Sequence, residues 1–135
     1  MVEIDMSYEG HLHCQAVHGP SGTKLVTDAP QDNMGKGESF SPSDLVATAL
    51  GACILTVLGI AARRQGLNLK GTKAKVTKEM VSSPSRRIGR LSVDIHVPVR
   101  LSEPQRKLLE SAAVTCPVRN SLHPDVEMAM TFHWA

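Results

Sequence analysis

The side chains most able to do covalent chemistry in this 135-residue sequence are its three cysteines, Cys14, Cys53 and Cys116. The thiolate is the reactive form, so the question for each sulfur is what its surroundings do to its proton affinity. Cys116 precedes Pro117. Proline disfavours helical backbone at the residue before it and suits the first position of a helical turn, which makes Cys116 a candidate N-cap. Its sulfur would then lie near unpaired backbone N–H groups and the positive end of a helix dipole, and Arg119 could add a cation. That environment favours a thiolate. Cys53 falls on the apolar face of a predicted helix, where burial would keep it protonated unless a cation or dipole opposed that effect. Cys14 reads as core packing, a common fate of unpaired cysteine. Spacing alone leaves open whether Cys53 and Cys116 meet.

Other chemistries are weakly marked. His11, His13 and His18 cluster around Cys14, and His11 and His13 share one face of a predicted strand, a spacing compatible with metal binding. No Cys-x-x-Cys or His-x-x-x-His spacing supports a metal centre there, and an exposed strand face explains the histidines equally well. A metal-binding regulator built on this strand would have to carry stoichiometric metal. Gly-x-Ser-x-Gly is missing, and Gly35-Lys36-Gly37 is too short to cradle phosphate. Neither a metal nor a cofactor is expected.

The elements that must position the thiols follow from pattern. Tyr8 to Val17 alternates weakly and is followed by Gly19-Pro20-Ser21-Gly22 and Lys24 to Thr27: strand, turn, strand. Asp28 to Ser41 is a loop. A helix of about 22 residues then starts with Ser41 as N-cap, Pro42 in the first turn and Asp44 as capping-box acid. Its apolar positions, from Leu45 through Cys53 to Ala61, recur at helical steps; Arg63, Arg64 and Gly66 suit its end. Lys73 to Val81 and Leu91 to Val99 alternate as strands. A second helix follows Leu101, carrying Leu108, Leu109, Ala112, Ala113 and Cys116, and Val126 to Trp134 alternates again. The order β-β-α-β-β-α-β lacks a βαβ rhythm and predicts an α+β fold. One domain over residues 1–135 is expected. A long apolar helix in so small a chain would be buried best against a twin, so a homodimer is expected.

Composition excludes several classes. Net charge is +2 and aromatics make up 3%, too few for a base-stacking surface, and Arg63-Arg64 and Arg86-Arg87-Gly89-Arg90 read as solvated surface; no nucleic acid is expected. The run from Leu45 to Ala62 is interrupted by Thr48, Gly51, Thr56 and Gly59 and falls short of the roughly 20 apolar residues of a membrane span. With no signal sequence and an odd cysteine count, the reading is cytoplasmic, with free thiols.

Two segments carry a resemblance. Gly35-Lys36-Gly37-Glu38-Ser39-Phe40-Ser41-Pro42-Ser43-Asp44-Leu45-Val46-Ala47-Thr48-Ala49-Leu50-Gly51-Ala52-Cys53 and Ala113-Val114-Thr115-Cys116-Pro117-Val118-Arg119-Asn120-Ser121-Leu122 resemble the two signatures of the OsmC/Ohr family of osmotically induced and organic-hydroperoxide-resistance proteins. The resemblance implies an OsmC-like fold, with antiparallel sheets packed around a long central helix in an intertwined homodimer. It also implies a peroxidase that uses Cys53 to attack an organic hydroperoxide and Cys116 to resolve the sulfenic acid as a disulfide. A dithiol, such as a lipoylated protein, would restore both. Two positions depart from the peroxidases. Ser43 stands where they carry glutamate, and no arginine precedes Arg63, leaving Lys24, Lys36 or Arg119 as substitutes. The alternative function is therefore a stress-associated binding protein with slow thiols.

Overall fold

A computed structural model describes residues 1–135. The chain resolves into two compact units, Met1–Val46 and Ala47–Ala135.

The first unit holds a three-stranded antiparallel sheet in the order β1 (Ile4–Gly10), β2 (His13–His18), β3 (Lys24–Asp28). The expected single strand from Tyr8 to Val17 is instead two, folded back at His11 and Leu12. Both turn residues have positive φ, 52° and 63°, the twist that a two-residue hairpin needs and that Asn or Gly usually supplies. With neither of those types in the turn, the sequence conceals it. His11 is thus a turn residue and does not share a strand face with His13. Beyond β3 a single 3-10 turn, Gln31–Asn33, precedes the second unit.

Helix α1 (Pro42–Arg64) starts as predicted. The Ser41 hydroxyl accepts from the Asp44 N–H at 3.1 Å while the Asp44 carboxylate accepts from the Ser41 N–H at 2.9 Å, a reciprocal capping box. It ends at Gly66 (φ 69°), with Leu67 N–H reaching the Ala62 carbonyl and Gly66 N–H that of Arg63. These are the two bonds of a Schellman motif. At 23 residues the helix is long and apolar enough to cross a membrane by length and composition, which corrects the reading that its apolar run is too short. In the fold, its row Leu50, Ile54, Leu58 and Ala62 is buried in the core of the second unit.

That core is closed by a second three-stranded sheet, β4 (Lys73–Val81), β5 (Arg87–Val97) and β6 (Glu127–Trp134), in that order. β4 and β5 are antiparallel, but β5 and β6 run parallel, with Leu91 opposite Met128, Val93 opposite Met130 and Ile95 opposite Phe132. The expectation of purely antiparallel sheets is corrected here. Helices α2 (Glu103–Ala113) and α3 (Pro117–Ser121) lie between β5 and β6 and supply the long crossover that a parallel pair requires. Gly51 lets α1 approach β4: a Cβ there would stand 2.8 Å from a Val76 methyl.

Candidate active site

Cys53 and Cys116 both belong to the second unit, and the structure brings them together, near enough for Cys53 to raise the proton affinity of Cys116. Two different elements deliver them. Cys53 lies midway along α1, one residue before the buried Ile54, so it packs at the edge of the core and stays half exposed. Cys116 is the N-cap of α3 and is fully buried. Pro117 occupies the first helical position, and the Arg119 N–H donates to Cys116 Sγ at 3.4 Å. The backbone geometry read from Cys-Pro is therefore present.

Its electrostatic consequence is not the one expected. Burial pushes the Cys116 thiol above its ordinary range, and the neighbouring Cys53 pushes the same way; the Arg119 N–H opposes them and loses. A five-residue helix has little dipole to offer, whereas loss of water around a full charge is expensive. Cys116 accordingly holds its proton.

A cavity of about 280 Å³ is lined by Val57, Ile60, Ala61 and Arg64 of α1 together with Ala112, Thr115 and Pro117. Val57 is one helical turn beyond Cys53 and Pro117 follows Cys116, but neither sulfur lines this cavity. A smaller one, about 70 Å³, is lined by Leu50, Ile54, Met130 and Arg119 among others. A larger cavity, about 550 Å³ against Leu55, Leu58 and the 67–72 segment, also includes neither sulfur among its lining groups. The Arg119 guanidinium donates to the Val114 carbonyl at 3.5 Å, so this residue serves Cys116 through its backbone N–H. Lys24, Lys36 and Ser43 belong to the first unit, as does Cys14, which stands on β2 opposite Tyr8 and Thr27. The lining of the 280 Å³ cavity was not singled out from sequence as a group; Val57, Ala61 and Ala112 were legible there only as apolar positions of two helices.

A profile of the family described as OsmC-like protein matches residues 35–131, the stretch that contains both cysteine motifs. No curated protein matches in sequence. Among solved structures, a candidate osmotic stress induced and detoxification response protein from Psychrobacter arcticus is 41% identical, with a TM-score of 0.93 over 98% of this chain and 96% of that one. An organic hydroperoxide resistance protein OsmC from Legionella pneumophila is 16% identical, with a TM-score of 0.79 over 98% and 96%. The organic hydroperoxide resistance protein OhrB of Bacillus subtilis is 13% identical, with a TM-score of 0.73 over 98% of each chain. At such identities the last two speak to the fold alone.

Proposed function

The chain belongs to the OsmC-like protein family, and from that premise we propose that it is a thiol-dependent peroxidase that reduces organic hydroperoxides through Cys53 and Cys116. The observation that carries the reading is the neighbouring pair of thiols, one half exposed and one buried, within the second unit. Cys53, the accessible member, attacks as thiolate: its sulfur bonds to the terminal peroxide oxygen, the O–O bond breaks, and the alkoxide leaves with a proton as alcohol. Cys53 is then a sulfenic acid. Cys116 sulfur displaces its hydroxyl, which departs as water with the Cys116 proton, and a Cys53–Cys116 disulfide remains. A dithiol of the lipoyl class returns two electrons and two protons by exchange, becoming a cyclic disulfide.

The raised proton affinity of Cys116 suits this division of labour. A resolving thiol that stays protonated does not compete for peroxide. Val57, Ile60 and Ala61, which line the 280 Å³ cavity along with Arg64, offer an apolar wall that suits alkyl or lipid peroxides better than hydrogen peroxide. Reduced thiols are required between turnovers, and a cytoplasmic setting is part of the proposal. So is a homodimer.

One observation favours a second reading, a binding protein with slow thiols. Ser43 stands where the peroxidases carry glutamate, and the Arg119 guanidinium is engaged with a backbone carbonyl. Activity assays decide. On the peroxidase reading, Cys53→Ser abolishes reduction of cumene hydroperoxide, while Cys116→Ser accumulates a sulfenic acid that dimedone traps. Full turnover by Cys53→Ser, or a thiol titre unchanged by excess peroxide, favours the binding protein.

A further inference from the structure

The first unit contains a polar cluster that the thiol chemistry leaves unused. His13 opens β2 and Asp28 closes β3, and the two are directly opposed in the sheet register. Glu38 arrives from the following loop. That loop turns back because Gly35 rests on Ala29, where a Cβ would stand 1.7 Å from the Ala29 carbonyl oxygen, and because the Gly35 N–H bonds to the Pro30 carbonyl. His13 Nε2 then lies 3.7 Å from Asp28 Oδ1 and 3.4 Å from Glu38 Oε2. One ligand-capable atom from each of the three residues falls within 4.8 Å of the others.

Two features indicate what this arrangement holds. Asp28 is 1% exposed. Its Oδ2 accepts from the Glu38 N–H at 3.0 Å, whereas Oδ1 is buried and accepts no hydrogen bond although it is aimed into the cluster. A buried carboxylate oxygen without a partner is costly, and a cation is its natural complement. The His13 ring is also oriented for coordination. Its Nδ1 lies 2.7 Å from the His11 carbonyl. A carbonyl only accepts, so Nδ1 carries a proton, and Nε2 is the ring atom turned toward both carboxylates. A ring N–H held by a backbone carbonyl is the usual support of a metal-bound histidine.

The separations are compatible with a metal. Direct imidazolium–carboxylate hydrogen bonds run about 2.7–2.9 Å, shorter than both His13 contacts. Two ligands each about 2.0–2.1 Å from a tetrahedral ion stand roughly 3.3 Å apart, near the 3.4 Å between His13 and Glu38, and all three donor atoms lie within 4.8 Å of one another. We propose that His13 Nε2, Asp28 Oδ1 and the Glu38 carboxylate form a binding site for a divalent transition cation of the zinc class. One imidazole and two carboxylates give three protein ligands, and Glu38, 56% exposed at its side chain, faces solvent from which water can complete the shell. Lys36 Nζ, 3.9 Å from Glu38 Oε1, approaches the other oxygen of that carboxylate. The expectation that the histidine-rich first segment binds no metal changes accordingly, and the ligand set is His13 with two acids, not the histidines with Cys14.

The test is zinc titration of the full chain under a non-chelating reductant, with dialysis against the free ion and metal analysis. The wild type and the Cys53→Ser/Cys116→Ser double variant should each retain one zinc per chain, because the thiols are not ligands. His13→Gln and Glu38→Gln, whose side chains are partly or largely exposed, should weaken binding by at least the ~10–100-fold that loss of even a supporting group costs, with unchanged circular dichroism. Cobalt at the site should show d–d bands without thiolate charge transfer. Zinc that disappears with the cysteines, zinc retained at full affinity by His13→Gln, or no bound zinc in the wild type would each overturn the assignment. None of these readouts depends on peroxidase activity.

Discussion

The proposed division of roles between Cys53 and Cys116 rests on burial, not on the helix start that singles Cys116 out in the sequence. Cys116 keeps its N-cap geometry and its bond from the Arg119 N–H, yet burial and the Cys53 contact hold the proton on it. Selective alkylation reads this directly. In folded protein at neutral pH, iodoacetamide should label Cys53 well before Cys116, and Cys116 should react only on unfolding or at pH above the ordinary thiol range. The sign follows from the raised proton affinity: the thiolate appears later, not earlier, as pH rises. Cys116 labelled first, as identified by peptide mass, would reverse the assignment. The Cys-Pro dipeptide discloses a backbone conformation, which is a local property. Desolvation depends on α1 and the sheet closing over the sulfur, and no neighbouring residue encodes that. Asp28 and Glu38 escaped notice for the same reason, since only cross-strand register and a loop turned back on Ala29 bring them to His13.

At the scale of elements, α1 was the most legible part of the chain because its signals are local and agree. Ser41 and Asp44 cap it, the Leu50–Ile54–Leu58 row repeats at helical spacing, and Gly66 ends it. The cap also sets where the helix begins, and with it the rotation that puts Cys53 at the core's edge. Ser41→Ala should therefore cost about 1 kcal/mol of stability, measured by urea denaturation. A loss near zero would show that the capping box is dispensable. Elements whose definition is non-local were read less well. The hairpin turn His11-Leu12 carries no turn residue at its two positive-φ positions. The parallel pairing of β5 with β6 is invisible to a period-two pattern, which marks a strand without naming its partner or its direction.

At the scale of the molecule, the α+β class was legible from element order, while the expected homodimer was argued from the apolar helix alone and named no surface of the first unit. In the first unit Ile4, Met6 and Tyr8 project from one face of β1 and remain exposed, and Leu25, in line with Met6 across the sheet, does too. Such a patch supports association with a second copy. Tyr8→Lys, at a side chain 67% exposed in the single chain, should shift the protein from dimer to monomer in sedimentation velocity. A wild-type monomer would count against that association. The central claim, that two cysteines distant in sequence form one redox centre, is tested most directly by adding one equivalent of cumene hydroperoxide to the fully reduced protein and mapping the product by mass spectrometry. The account predicts a chain lighter by two hydrogens, with Cys53 and Cys116 joined in one disulfide-linked peptide pair and Cys14 still free. Unchanged mass, or a disulfide that omits Cys53 or Cys116, would contradict it.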